Sequence, residues 1–417
     1  MLFSAAALIA LLPAAALAAP ASGPLDKRAP LIQARNPSKV VPGKYIVKLK
    51  AGSTEAALTK AIGSHKAGHV YSSSNFKGFA GALDAAALDK IRSLPEVEFV
   101  EEDSIVTLQT PTLAVPRAVV TQTGAPWNLA RISSHPNGAT SYRYDSTAGN
   151  GTCSYIIDTG IYTGHTEFGG RAVFGANFAG DSSTTDGNGH GTSVAGVVGS
   201  TTYGVAKLTT LIAVKVLDAS GSGTNSGVIA GFNYVATDHT TRAGCSTYGS
   251  VAAIAIGGSF SAAVNAAVTS LVNSGVHVAA AAGGDAANAG NYSPGSAPAV
   301  CTIGASNAAD AVASSSNYGP ILDMYAPGVN IKTTWLSGAT VTLMNTLSGT
   351  TYSAAHVAGL GAYILRLRGV AYTGVTVPAT LTPQGVCAFL QGIATSGVLT
   401  GVPSGTNNLL AYNGIDP

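Results

Sequence analysis

Two segments supply candidate groups for proton transfer, far apart along the chain. Ser154-Tyr155-Ile156-Ile157-Asp158-Thr159-Gly160 is an apolar strand that ends on a carboxylate. Asp186-Gly187-Asn188-Gly189-His190-Gly191-Thr192 surrounds one histidine with glycines, just ahead of the helical Val194-Ala195-Gly196-Val197-Val198. That order sets the imidazole at a helix N-terminus. Taken singly, Asp158 reads as a turn former and His190 as a polar surface residue. Together they are a candidate general base held by a carboxylate. A third segment, Ser348-Gly349-Thr350-Thr351-Tyr352-Ser353-Ala354-Ala355-His356-Val357-Ala358-Gly359-Leu360, opens a helix that runs to Arg366 or Arg368 and stops at Gly369.

These segments need a frame. Leu211 to Leu217, Val251 to Ile256 and Val276 to Ala282 are further apolar runs, and they alternate with Ala-rich helical stretches such as Gly227 to Thr237 and Ser261 to Ser274. Strands apolar on both faces, alternating with helices, predict an α/β fold with a parallel sheet covered on both sides. Functional residues of such sheets gather at the carboxyl ends of the strands, where Asp158 stands.

The chain of 417 residues is 46% apolar and 10% charged, which excludes a disordered protein. A net charge of +2 gives no reason to expect nucleic acid or an acidic membrane as a partner. From Ala29 to Thr110 there are 10 Lys/Arg and 8 Asp/Glu, whereas the whole of Pro111 to Pro417 holds 10 and 11. The step predicts a small charged domain, a boundary between Thr110 and Val120 with Pro111 and Pro116, and a large sparsely charged domain.

Leu2 to Ala19 is apolar, with Ala16-Leu17-Ala18 as a small-residue cleavage site, and reads as a signal peptide over residues 1–18. No later run reaches the roughly 20 residues that span a bilayer. The expected product is secreted, extracellular, soluble and monomeric. Lys27-Arg28 reads either as a dibasic processing site or as two solvated charges.

In the small domain, Lys44 to Lys50 alternates as a half-buried strand, Ala56, Leu58 and Ile62 space as a helix, and Phe76, Phe79, Ala80 and Leu83 form a strand region. Leu88 to Arg92 reads as a helix and Val97 to Glu101 as a last strand. This order resembles the inhibitor-type propeptide of the subtilase family over roughly residues 41–108, within a propeptide of 19–119. Asp-Thr-Gly at 158–160, Gly-His-Gly-Thr at 189–192 and Ser-Gly-Thr at 348–350 with His356-Val357-Ala358-Gly359 follow the order of the same family. Ala125-Pro126-Trp127-Asn128-Leu129-Ala130-Arg131-Ile132-Ser133 and Asn291-Tyr292-Ser293-Pro294 extend the resemblance, which is nearest to the proteinase K branch and covers about Gln122 to Tyr412 of a peptidase domain of 120–417.

The resemblance also exposes departures. The family pattern has serine, the nucleophile, where this chain has Thr351, and the next four residues, Tyr352 to Ala355, differ as well. It has an asparagine that donates to the oxyanion where this chain has Gly284, and usually histidine where this chain has Ser193. The added methyl of a threonine stiffens the side chain and crowds the attack path. Small misplacements of a nucleophile cost about 100-fold. Loss of an oxyanion donor costs about 10²–10³ in a subtilisin. Thr351 reads as a helix-start residue with a capping hydroxyl, or as a nucleophile served by His190. Ser353 is a weaker substitute because it points elsewhere on the helix.

The resemblance further implies a substrate groove that pairs an extended peptide with Gly221, Ser222 and Gly223 on one side and Ala255, Ile256 and Gly257 on the other. Gly283 would line the specificity pocket. It implies a structural calcium ion held by the Pro298 and Val300 carbonyls and the Asp323 carboxylate. It selects Cys153–Cys245 and Cys301–Cys387 from the three pairings four cysteines allow. Asn150-Gly151-Thr152 is a glycosylation sequon, and Asn291-Tyr292-Ser293 a second one weakened by Pro294. The functional expectation is a secreted serine endopeptidase homologue with little or no proteolysis, whose partners are its own propeptide and an extended peptide or protein. The alternative is an active endopeptidase using Thr351 with His190 and Asp158.

Overall fold

A computed structural model describes residues 28–34, 39–73, 75–108, 123, 125–245, 248–336, 342–369, 371–372 and 375–414. The expected signal peptide and the expected boundary between Thr110 and Val120 lie outside the described residues.

The small domain is built from β1 (Leu31–Ile32), β2 (Val40–Leu49), α1 (Glu55–Ile62), β3 (Ala67–Ser72), β4 (Lys77–Ala82), α2 (Ala85–Arg92) and β5 (Val97–Leu108). Both helices start on side-chain caps, Thr54 and Asp84, which accept from the Ala57 and Ala87 N–H groups. Their apolar faces, with Leu58, Ala61, Ala87 and Ile91, close one side of the antiparallel sheet over Val47, Phe79 and Val100. Two expectations need correction. The strand region around Phe79 is a hairpin, because Ala67–Ser72 pairs with β4 as an edge strand. The last strand runs on to Leu108 rather than stopping at Glu101.

The large domain has the expected parallel sheet. Its elements are α3 (Trp127–Arg131), β6 (Cys153–Asp158), β7 (Ala172–Asn177), α4 (His190–Gly199), β8 (Thr210–Lys215), β9 (Ser222–Thr224), α5 (Asn225–Thr241), β10 (Ser250–Ile254), β11 (Ile256–Ser259), α6 (Ala262–Asn273), β12 (Val276–Ala281), β13 (Tyr292–Ser293), β14 (Cys301–Ser306), β15 (Met324–Pro327), α7 (Thr350–Arg366) and α8 (Pro383–Ile393). The strand order from one edge is Thr395–Ser396, Leu409–Leu410, β15, β14, β12, β10, β6, β8, β7. The central strands are buried on both faces. One face packs with α4 and α7, through Val197, Val198, Val357 and Leu360; the other packs with α5 and α6, through Val228, Phe232, Val268 and Leu271. Truncating a central side chain such as Ile156 to Ala would cost about 2–5 kcal/mol.

The disulfides are Cys153–Cys245 and Cys301–Cys387, as expected. Each contributes roughly 2–5 kcal/mol. The start of the large domain is pinned by Arg131, whose guanidinium forks onto Asp310 at 2.8 and 3.2 Å.

β5 belongs to both domains. Its first part pairs with β1 and β2, and its end enters between β9 and β11.

Candidate active site

Asp158 ends β6 and is fully buried. His190 opens α4, whose cap residue Gly189 has a positive φ and supplies no side-chain cap. His190 Nδ1 lies 2.8 Å from Asp158 Oδ1 and 2.9 Å from Oδ2. This is the carboxylate-held imidazole that the sequence predicts, with Nδ1–H donating to the carboxylate. The close crossing of the two elements requires glycine at 191, where a Cβ would meet the Gly160 carbonyl oxygen at 2.1 Å. His190 Nε2 is buried and has no hydrogen-bond partner among the described residues.

The device that joins β6 to α4 was not singled out from the sequence. Asp186 is buried, and its Oδ1 accepts from Thr159 Oγ1 at 2.8 Å and from the Asn188 and Gly189 N–H groups at 2.9 Å. Its Oδ2 accepts from the Thr192 N–H and hydroxyl at 2.9 and 2.6 Å. Thr159 Oγ1 in turn accepts from the Gly191 N–H at 2.9 Å. One carboxylate thus caps the turn that carries His190 and ties it to the residue after Asp158. Its only legible signal was an aspartate four residues ahead of the histidine.

Thr351 is the second residue of α7 and is buried. Its hydroxyl donates to the Ala255 carbonyl at 3.2 Å. The expectation of a helix-capping hydroxyl is corrected: the cap residue is Gly349, with no side-chain cap, and Thr351 Oγ1 bonds between β10 and β11 instead. Ser353 Oγ donates to the Ala326 carbonyl at 2.9 Å, so it points toward β15, in keeping with its weak standing as a substitute. Gly284 follows β12 in a loop held by Asn317, whose Oδ1 accepts from the Asp285 and Ala287 N–H groups at 2.9 and 3.0 Å and whose amide donates to the Ala282 carbonyl at 2.9 Å. Thr350 Oγ1 accepts from the Gly283 N–H at 3.3 Å, joining this loop to α7. As a glycine, residue 284 brings no side-chain donor to the site.

The predicted groove is occupied by β5. Val106 pairs with Gly223, Thr107 with Ser222 and Gly257, and Leu108 with Ile256. Gly221 forms the turn before β9, with its N–H on the Asp218 carbonyl at 3.1 Å. Two propeptide carboxylates fasten the strand to helix starts of the large domain. Glu101 accepts from the Ala263 N–H at 2.6 Å and from the Ser261 hydroxyl at the start of α6. Asp103 accepts from the Ser226 N–H at 3.1 Å and its hydroxyl at 2.7 Å in the first turn of α5. Burial pushes the Glu101 carboxyl up to about 7, with the nearby Asp103 adding to the shift, and burial raises Asp103 too.

At the expected calcium site, the Asp323 carboxylate accepts from the Thr302 N–H at 2.8 Å and from the Gln391 amide at 3.1 Å. Burial pushes its carboxyl up to about 6, a cost that a bound cation would offset. The Asp323 carboxylate oxygens suit the ligand preference of Ca²⁺. The neighbouring Cys301 and Cys387 sulfurs belong to a disulfide and cannot ligate. Asn150 is exposed. Among the described residues, no helix is long and apolar enough to cross a membrane.

Comparison with known proteins agrees with this geometry. Residues 149–386 match the subtilase family and residues 44–109 the peptidase inhibitor I9 family. The chain is 48% identical to the subtilisin-like serine protease AsES of Sarocladium strictum, over 93% of this chain and 94% of that protein. It is 46% identical to the cuticle-degrading protease of Metarhizium anisopliae, over 98% and 99%. Proteinase R of Parengyodontium album is 45% identical over 92% of each. Among solved structures, a cold-adapted subtilisin-like serine proteinase aligns with a TM-score of 0.63 at 37% identity, over 70% of this chain and all of the other. With an inhibitor-type propeptide strand in its groove and an Asp–His pair at the carboxyl end of its sheet, this chain belongs to the subtilase family, among relatives of the proteinase K type.

Proposed function

We propose that the chain is a secreted subtilase whose groove binds an extended peptide or protein segment as an added strand while hydrolysis is strongly impaired. One observation carries this reading: the Thr351 hydroxyl is engaged by the Ala255 carbonyl, not by His190, and Gly284 offers no side-chain donor to an oxyanion. In a subtilisin, loss of one such donor costs about 10²–10³ in kcat. Removal of the nucleophile in that enzyme costs about 10⁶. The chain's own propeptide is the first occupant of the groove, and an apolar start at Leu2 to Ala19 with two disulfides supports secretion. A calcium ion at Asp323 with the Pro298 and Val300 carbonyls, and a glycan at Asn150, belong to the same reading.

The second reading, an active endopeptidase using Thr351, is favoured by the whole Asp158–His190 pair and by a His190 Nε2 with no partner among the described residues. In it, His190 takes the Thr351 proton, Asp158 stabilises the imidazolium, and backbone N–H groups alone serve the oxyanion. A fluorophosphonate probe separates the two. The proposal expects no covalent adduct on Thr351 by mass spectrometry. An adduct that forms in the wild type and disappears in His190→Ala would overturn it.

A further inference from the structure

We infer that Tyr352 is a positioning residue for His190 and acts through Ser193. Tyr352 directly follows Thr351 in the first turn of α7 and is fully buried. Its Oη lies 3.1 Å from Ser193 Oγ, and Ser193 Oγ donates to the His190 carbonyl at 2.6 Å. A serine hydroxyl carries one proton. Here that proton is spent on the His190 carbonyl, so the tyrosine must be the donor between the two hydroxyls. The bonds therefore run in one direction, from Tyr352 O–H to Ser193 Oγ–H to the His190 carbonyl. They join the turn that carries Thr351 to the turn that carries the imidazole.

Both ends of this chain are anchored. The Tyr352 carbonyl accepts from His356 Nδ1 at 2.7 Å, and His356 Nε2 accepts from the Asn128 amide at 2.7 Å. That requires a neutral imidazole, and burial lowers His356 to about 4. On the other side, Thr333 and Thr334 hydroxyls donate to the Ser193 and Thr192 carbonyls at 2.7 Å, fixing the first turn of α4 against the strand Ile331–Thr334. The Tyr352 and His190 ring centroids are 6.2 Å apart.

Residues 193 and 352 are both positions where the sequence departs from the subtilase pattern, and the fold brings the two departures into contact. Asp158 and Asp186 hold His190 from the β6 side; Tyr352 and Ser193 hold it from the α7 side. The inference goes beyond the proposed function and concerns the Asp158–His190 pair whether or not Thr351 attacks a peptide.

The test uses the full chain labelled with ¹⁵N-histidine. The His190 ring nitrogens and the Nδ1–H proton are followed by NMR in wild type, Tyr352→Phe, Ser193→Ala and the double variant. Each single change should broaden the Nδ1–H signal and shift the His190 ring-nitrogen resonances. The double variant should do no more than either single one, because all three cut the same chain of bonds. His190 signals unchanged in a folded Tyr352→Phe protein, with only a lower melting temperature, would reduce the contact to packing and overturn the proposal. Shifts that simply add would overturn it too. Should Tyr352→Phe fail to fold, Ser193→Ala carries the same test, since it removes a single oxygen.

Discussion

The groove and the reacting centre lie side by side and are made of different material. The groove is backbone: β9 and β11 offer N–H and carbonyl groups to β5, and glycine at 223 lets β9 pack on the Val216 carbonyl, which a Cβ would meet at 2.4 Å. The centre is side chains: Asp158, His190, Thr351 and an empty side-chain position at Gly284. A backbone site survives changes of residue type because every residue carries the same donor and acceptor. A side-chain site loses its chemistry with one atom. In this chain the groove holds a strand, whereas the centre, in the reading proposed above, is altered at Thr351 and Gly284.

Breaking that contrast should give the largest effect. In Thr351→Ser with Gly284→Asn, the Asp158–His190 pair finds a serine and an oxyanion donor in reach, and the chain should cut itself after β5. Thr351→Ser alone should cut more slowly, by the 10²–10³ that one donor is worth in a subtilisin. Gel analysis of the purified variants tells the difference, and a double variant that stays intact would show the frame itself has lost the needed geometry.

Next in size is Asp186→Asn. It turns one oxygen that accepts N–H groups into a donor facing them, and each orphaned buried group costs about 1–3 kcal/mol. Urea unfolding should lose at least about 3 kcal/mol, and the His190 Nδ1–H signal should broaden. A loss below 1 kcal/mol would contradict the role given to Asp186.

The hold of the propeptide should depend on pH. Glu101 is raised by burial from 4.5 to about 7 when docked, so docking takes up a proton between those values. The contribution is fully present below about 4.5 and is lost as pH rises through 7. Asp103 shifts the same way. Hydrogen exchange of the Ile105 and Val106 amides should therefore be better protected at pH 5.5 than at 8.5, after correction for intrinsic rates. Glu101→Gln should flatten the difference. Stronger protection at 8.5 would reverse the assigned sign.

The smallest effect concerns calcium. Chelation should lower the melting temperature of wild type and leave that of Asp323→Asn unmoved. An equal response in both would remove Asp323 from the ion's ligands.

Much of this molecule was legible because its periodicities are local. The double-faced apolar strands announced the parallel sheet, and Asp158 and His190 stood where strand and helix ends put chemistry. What stayed hidden depends on distant partners. Glu101-Glu102-Asp103 reads as the solvated end of a strand, yet Glu101 and Asp103 are buried because helix N-termini of the other domain receive them. That is why the strand continues to Leu108. Ala67–Ser72 has a glycine, a histidine and a largely exposed face, so its pairing as an edge strand left little pattern to read. Asp186 and Asn317 have the residue types of ordinary turns, and only the fold shows how many backbone groups each one holds.

The central claim is that peptide binding persists where peptide cleavage has faded, and the chain carries its own substrate for the test: the segment after Leu108. Mass spectrometry of the purified wild-type N-terminus reads it directly. The account predicts one covalent chain in which residues 29–110 stay attached to the large domain, with any trimming confined to sites of other proteases such as Arg28 or Arg117. A wild-type chain cut between residues 108 and 124, with the cut abolished by His190→Ala, would contradict it and make Thr351 a working nucleophile.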